Sequence, residues 1–231
     1  MSGFKEIEQL SRIARPNEAV VTNIGDAHLE QLGSRAGIAE AKMEIAAGLQ
    51  AGGHVFVDGD EPLLAPFYEK DGVKTVGFQA SSQLQIKELD SSPEGFTFRF
   101  LESEYTLSLL GEHNVKNVAY AIAVANGLGL APERIAQGLK QADLTEMRLQ
   151  KIKGTKGELI INDAINANPT SMLAAIKTVK ALPGYRKRVV VLGDMYELGR
   201  DEERLHRLIA DEISEPLTAV ITVGKKRSLD F

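Results

Sequence analysis

The chain has 231 residues, 43% hydrophobic and 26% charged, which is enough apolar material for one large core or two modest ones. It has no cysteine, which excludes disulfides and thiolate metal sites, and its net charge of −5 speaks against a nucleic-acid surface, which needs a concentrated basic face. No apolar run of about 18 residues and no N-terminal signal core points to a membrane or to export, so the expectation is a cytoplasmic monomer with neither nucleic-acid nor membrane partners.

Phe4, Ile7, Leu10 and Ile13 recur at helical spacing and predict a helix over 3–14, and Glu18 to Gly25 reads as the buried strand that follows it. A helix over 35–49 and short strands at 54–57 and 73–78 continue an α/β pattern. From 84 to 110 the segments LQIKEL, GFTFRF and YTLSLL alternate, separated by Ser91-Ser92-Pro93-Glu94-Gly95 and by LESE, and predict antiparallel strands added to the sheet edge. Helices are expected over 114–128 and 132–141, the second opened by Pro132.

After Asp143 a second βαβαβ pattern begins: strand 158–162, helix 169–182, strand 188–193, helix 201–214, strand 218–224. A boundary is placed at 146, giving units 1–146 and 147–231. The second holds fewer strands than a doubly wound sheet usually has. Lys225 to Arg227, the one basic cluster, reads as a solvated tail.

Five places carry candidate chemistry. Lys42 shares an apolar helical stripe with Ile38, Ile45 and Leu49, so it either snorkels to the helix flank or is a buried amine of lowered pKa, open to nucleophilic or carbamate chemistry. His28 and Glu30 follow a strand at the carboxyl edge of the sheet, where open α/β folds bind ligands; a surface loop capped by Asp26 is the alternative. In Gly111-Glu112-His113-Asn114, Asn114 reads as a helix N-cap, or with Asn117 as a pair of amides facing a base or ribose. Asp163 ends a strand before Asn166, Asn168 and Pro169; Asn168 and Pro169 open a helix whose N-terminus can attract an anion, and Asp163 is placed to accept from sugar hydroxyls. Asp194, Glu197 and Gly199 form a loop that holds a substrate or a metal, or simply complements the next helix dipole.

Taken together, NIGDAHLEQLGS with IAEAKMEI, GEHNVKNVAYAIA, MRLQ, NDAINANPTSM and LGDMYELG resemble the Mur ligase family in the right order across essentially all 231 residues. The nearest branch is the one that joins D-alanyl-D-alanine to UDP-N-acetylmuramoyl-tripeptide. The resemblance implies a central ATP-binding domain followed by a Rossmann-like C-terminal domain. It implies an ATP-dependent amide ligase that phosphorylates a carboxylate and lets an amine attack the acyl phosphate, with two Mg2+ ions neutralising the phosphates. It further implies that His28 binds one Mg2+ and that Lys42, as a carbamate, supports the second. Asn114 and Asn117 would face adenine, Arg148 the phosphates and Asp163 the ribose, while Asn166, Asn168, Asp194 and Glu197 would line the substrate cleft.

Two features depart from the family. Ile165 stands where it usually carries Tyr, and no G-x-x-G-K-[ST] phosphate loop occurs. The expectation is the latter part of the central domain plus part of the C-terminal domain, inactive alone. The rival readings are a sister ligase adding single amino acids, a folylpolyglutamate synthase, a non-catalytic nucleotide-binding module and a purely structural domain.

Overall fold

The computed structural model describes residues 1, 3–92, 95–141 and 147–224; the expected boundary at 146, Pro93 and Glu94 of the expected turn, and the Lys225–Arg227 cluster lie outside them. Helix α1 (Glu6–Ala14) leads into β1 (Glu18–Val21). Two helices follow, α2 (Leu29–Leu32) and α3 (Arg35–Met43), the latter opened by Ser34, whose hydroxyl accepts from the Gly37 N–H at 3.0 Å. The helix expected over 35–49 tightens to 3₁₀ from Glu44 to Gly48, where the Gly48 N–H turns to the Ser11 hydroxyl of α1 at 3.1 Å.

Strands β2 (His54–Asp58), β3 (Val73–Gly77) and β4 (Leu84–Gln85) join β1 in a parallel sheet of order β1-β2-β3-β4. Side chains alternate across it, so Val21, Val55 and Val57 enter one core while Phe56 and Val76 enter another.

The alternating segment does not extend this sheet edge as expected. Strands β5 (Lys87–Ser92), β6 (Gly95–Phe100) and β7 (Ser103–Leu107) form a separate antiparallel sheet. The division falls at Ile86: its N–H donates to the Gly77 carbonyl at 2.8 Å, which keeps β4 on β3, and its side chain is buried with Phe98 and Phe100. Beyond it Glu88 takes a positive φ of 51° and the β5–β6 register shifts, which turns β5 away. Helix α4 (Glu112–Gly127) joins this second core through Val115, Val118, Ala119 and Ile122, and α5 (Pro132–Leu139) through Ile135.

The second half also departs from simple βαβαβ. Strand β8 (Gln150–Lys153), unforeseen because Lys151, Ile152 and Lys153 are exposed and carry no burial pattern, pairs antiparallel with β9 (Leu159–Asn162). The Gly154 N–H accepted by the Glu158 carbonyl at 2.8 Å closes the turn between them. Helix α6 (Pro169–Ala181), β10 (Val189–Gly193), α7 (Glu202–Glu212) and β11 (Ala219–Val223) follow, with β10 and β11 parallel. Their apolar faces are continuous with the first core: Met172, Ile176, Leu192, Met195, Leu198 and Ile209 belong to the same buried cluster as Leu29, Leu32 and Ile38. Among the described residues no helix is long and apolar enough to cross a membrane.

Candidate functional site

The segment leaving β1 at the carboxyl edge of the parallel sheet is held from below by α3. The Lys42 ammonium nitrogen donates to the Asn23 carbonyl at 2.7 Å, and burial lowers the lysine pKa with no carboxylate to offset it. Of the stripe read in the sequence, Ile38 is buried, Lys42, Ile45 and Leu49 are half-buried, and α3 ends at Met43, so Ile45 and Leu49 fall beyond it. Arg35, at the start of the same helix, donates to the Ile24 carbonyl and to Glu61, each at 2.7 Å, and lies 3.9 Å from Asp26. His28 closes the segment at a positive φ of 65°.

The two loops of the second half arrive from the opposite side. Glu197, also at positive φ (61°), places its carboxylate 3.2 Å from His28 Nδ1. The Thr170 hydroxyl, in the first turn of α6, donates to Asp26 at 2.9 Å. Gly199 has φ +61°, and a Cβ there would sit 3.4 Å from the Glu30 backbone, so the 194–199 loop passes directly over α2. The N-terminus of α6 is capped from within, Asn168 accepting from the Ser171 N–H at 2.9 Å while the Ser171 hydroxyl accepts from the Asn168 N–H at 3.1 Å. The nearby anion is Asp26, a favourable partner for that helix end. Asn166 accepts from its neighbour's N–H and is otherwise exposed, and Asp194 is half-buried near Gly224.

A second group assembles at the start of α4. Gly111, not Asn114, precedes the helix; it has φ +84° and a Cβ there would meet the His113 ring at 2.5 Å. Asn114 lies in the first turn, buried, donating to the Leu110 carbonyl at 2.7 Å and accepting from the Asn117 amide at 3.2 Å, which fixes the exposed Asn117 side chain. Leu149 packs beside Gly111, and its N–H donates to Asp163 at 3.1 Å. His113 is exposed as a residue, yet withdrawal of its ring from water lowers its pKa and the Asp163 carboxylate opposes that effect. Arg148 is exposed beside this junction. Most candidates fall into two groups, His28, Lys42 and Glu197 at the end of β1, and Asn114, Asn117, Arg148 and Asp163 around the start of α4; Asn166 and Asn168 stay at the start of α6 and Asp194 near Gly224.

Residues 1–125 match the Mur ligase middle domain, and residues 147–230 match the Mur ligase, glutamate ligase domain. The chain belongs to the Mur ligase family. It is 46% identical over 97% of its length to the UDP-N-acetylmuramoyl-tripeptide–D-alanyl-D-alanine ligase of Bacillus subtilis, covering 50% of that protein. A crystal structure of MurF from Acinetobacter baumannii superposes with a TM-score of 0.88 at 32% identity, over 97% of this chain and 50% of that one. The MurF ligase from Thermotoga maritima in complex with ADP gives 0.84 at 26%, over 96% and 52%. The chain therefore spans about half the length of the Mur ligases it matches.

Sequence reasoning missed one charged group in this Mur ligase half. Lys116 of α4 reaches Asp58 at 2.7 Å and Asp60 at 2.8 Å, just past the end of β2. Burial alone would lower the lysine pKa, but hydrogen bonds to the two carboxylates raise it. Burial alone would raise that of Asp60, but Lys116 and the N–H groups of Phe78 and Gln79 bring it down. The signal available was a lysine beside the buried Val115, Val118 and Ala119, the same kind of oddity that singled out Lys42.

Magnesium is usually held by one or two carboxylates together with phosphate and water. Among the described residues no three His, Cys, Asp or Glu side chains converge as a metal-holding group. His28 and Glu197 supply two donors, and an unmodified Lys42 supplies none.

Proposed function

We propose that this chain is the central and C-terminal part of an ATP-dependent ligase that adds D-alanyl-D-alanine to UDP-N-acetylmuramoyl-tripeptide in peptidoglycan precursor synthesis, working as a cytoplasmic monomer. The observation that carries the reading is the meeting of three separated motifs: Asp26 and His28 from the first, Thr170 from the second and Glu197 from the third lie within hydrogen-bond or ion-pair reach in pairs. The named function of the 46% identical relative supports the dipeptide branch.

In this reading residues 1–146 and 147–231 are two domains, a division supported by the family matches over 1–125 and 147–230. Asn117, steadied by Asn114, offers an amide edge to adenine, and Asp163 offers its second carboxylate oxygen to the ribose while the first holds Leu149. Exposed Arg148 is free to follow the phosphates. Lowered basicity leaves more of the Lys42 amine neutral, the form that adds carbon dioxide to give a carbamate. His28 and the Lys42 carbamate would hold Mg2+, which when bound supplies charge neutralisation at the phosphates.

The substrate carboxylate takes the γ-phosphoryl group of ATP, releasing ADP. The dipeptide amine then attacks the acyl carbon, phosphate leaves, and an amide and a proton remain. Asn166, Asn168, Asp194 and Glu197 border the side from which the acceptor would enter. The 231 residues alone are expected not to turn over, since they span half of the relatives' length and hold no phosphate loop.

The test is phosphate release by the full-length ligase carrying this sequence, with ATP, magnesium and UDP-N-acetylmuramoyl-tripeptide, offered either D-alanyl-D-alanine or single amino acids. Release specific to the dipeptide is expected. Release only with a single amino acid would move the chain to a sister branch, and none at all would leave a nucleotide-binding module.

A further inference from the structure

The apolar core that joins the two halves excludes water but does not by itself fix how they are rotated against each other, because hydrophobic contact is non-directional. Directional bonds are needed, and one of them, from the Thr170 hydroxyl, ends on Asp26. Asp26 is mostly buried; one carboxylate oxygen faces Arg35 at 3.9 Å and the other accepts from the Thr170 hydroxyl at 2.9 Å. Arg35 is itself fixed to the Ile24 carbonyl and to Glu61. A continuous polar chain thus runs from the turn after β2, through the first residue of α3, to the segment after β1 and on to α6.

We propose that Thr170 and Asp26 are positioning residues: the hydroxyl–carboxylate bond sets the register of α6 against the 23–28 segment, and through it the placement of His28 opposite Glu197 and of the Asn23 carbonyl over Lys42. The His28–Glu197 pair alone would be a poor register device. It joins two partly exposed side chains, and such pairs contribute little. Both residues nevertheless hold positive φ without being glycine, a conformation that persists when surroundings impose it. Asp26, whose side chain is only 15% exposed and is also faced by Arg35, supplies the anchor on which the Thr170 hydroxyl seats.

The consequence for catalysis rests on the ligase reading, whereas the bond itself does not, and two measurements separate them. The chain is free of cysteine, so spin labels at Glu40→Cys on α3 and Lys177→Cys on α6, both exposed, report the distance between the halves without background. The parent is expected to give one narrow distance distribution. Thr170→Val, which keeps the shape of the side chain and removes the hydroxyl, and Asp26→Asn should broaden it, and Thr170→Ser should restore it. A Thr170→Val distribution identical to the parent's would overturn the proposal, with circular dichroism showing that the variants are folded.

In the full-length ligase, Thr170→Val should lower kcat by about tenfold to a hundredfold while leaving KM for ATP unchanged, the pattern of a misplaced reacting group. Broadened distances with an unchanged kcat would overturn the positioning role. Absence of turnover in the parent itself would reject the ligase reading and leave the distance result intact.

Discussion

Two half-buried lysines stand near the carboxyl edge of the same parallel sheet, and their surroundings give them opposite characters. Lys42, at the end of β1, donates to a backbone carbonyl with no ion-pair partner among the described residues, and burial pushes its pKa down. Lys116, past the end of β2, meets Asp58 and Asp60, and its pKa goes up. Burial is common to both, so it does not separate chemistry from structure; the presence or absence of a compensating carboxylate does. A paired lysine is bound into the fold. An unpaired one is kept at a cost in stability, which is the signature expected of a group retained for reaction.

The sharpest way to break this contrast is to remove each amine in turn. In the full-length ligase Lys42→Ala should reduce kcat by about 10² to 10³-fold or more, with partial rescue by a small carboxylic acid that replaces the carbamate, measured by phosphate release. Undiminished turnover would remove Lys42 from the mechanism. Asp163→Ala should weaken ATP binding by about tenfold and leave dipeptide binding nearly unchanged, in calorimetric titrations of the same protein. Equal losses for both ligands would reject the ribose assignment.

Stability should move the other way between the two lysines. Lys116→Met leaves Asp58 and Asp60 with backbone N–H partners but no cation and should cost about 2–3 kcal/mol, or about 4–10 °C in Tm. Lys42→Met removes an unpaired charge and should be neutral or raise Tm by about 1–3 °C at pH 7. A loss for Lys42→Met matching that for Lys116→Met would erase the distinction.

The pH dependence carries the same sign difference. Asp60, with its pKa lowered in the fold, contributes stability above its unfolded value that is lost as pH falls through the folded one. Lys116, with its pKa raised, contributes stability present below the ordinary lysine value of 10.5 and lost as pH rises past it. For Lys42 the unfolded chain holds the proton more tightly, so stability should rise with pH up to 10.5. Thermal melts between pH 8 and that limit should show a rising slope that Lys42→Met removes and Lys116→Met retains. Asn168→Ala should cost about 1 kcal/mol from the lost α6 cap, read from the same melts.

Much of this was legible in the sequence for physical reasons that differ by residue. Lys42 stood out because a charge on an apolar helical stripe breaks the 3.6-residue period, and Asn168-Pro169 because cap and first-turn chemistry is local. The strand β8 escaped notice because its exposed Lys-Ile-Lys run has no burial period, and the separate β5–β7 sheet because a turn at Glu88 depends on a left-handed backbone that glutamate does not advertise. Asn114 looked like a cap, yet Gly111 takes that place and Asn114 is buried within the first turn. The links Asp26–Thr170 and His28–Glu197 join residues 144 and 169 positions apart, and no periodicity reports a contact at that range.

The most direct test of the central contrast is carbon-13 NMR of the chain in 13C-labelled bicarbonate at mildly alkaline pH, comparing the parent with Lys42→Ala and Lys116→Met. One carbamate resonance is expected, which disappears in Lys42→Ala and persists in Lys116→Met. A carbamate that survives loss of Lys42, or none in the parent, would contradict the contrast between the two lysines.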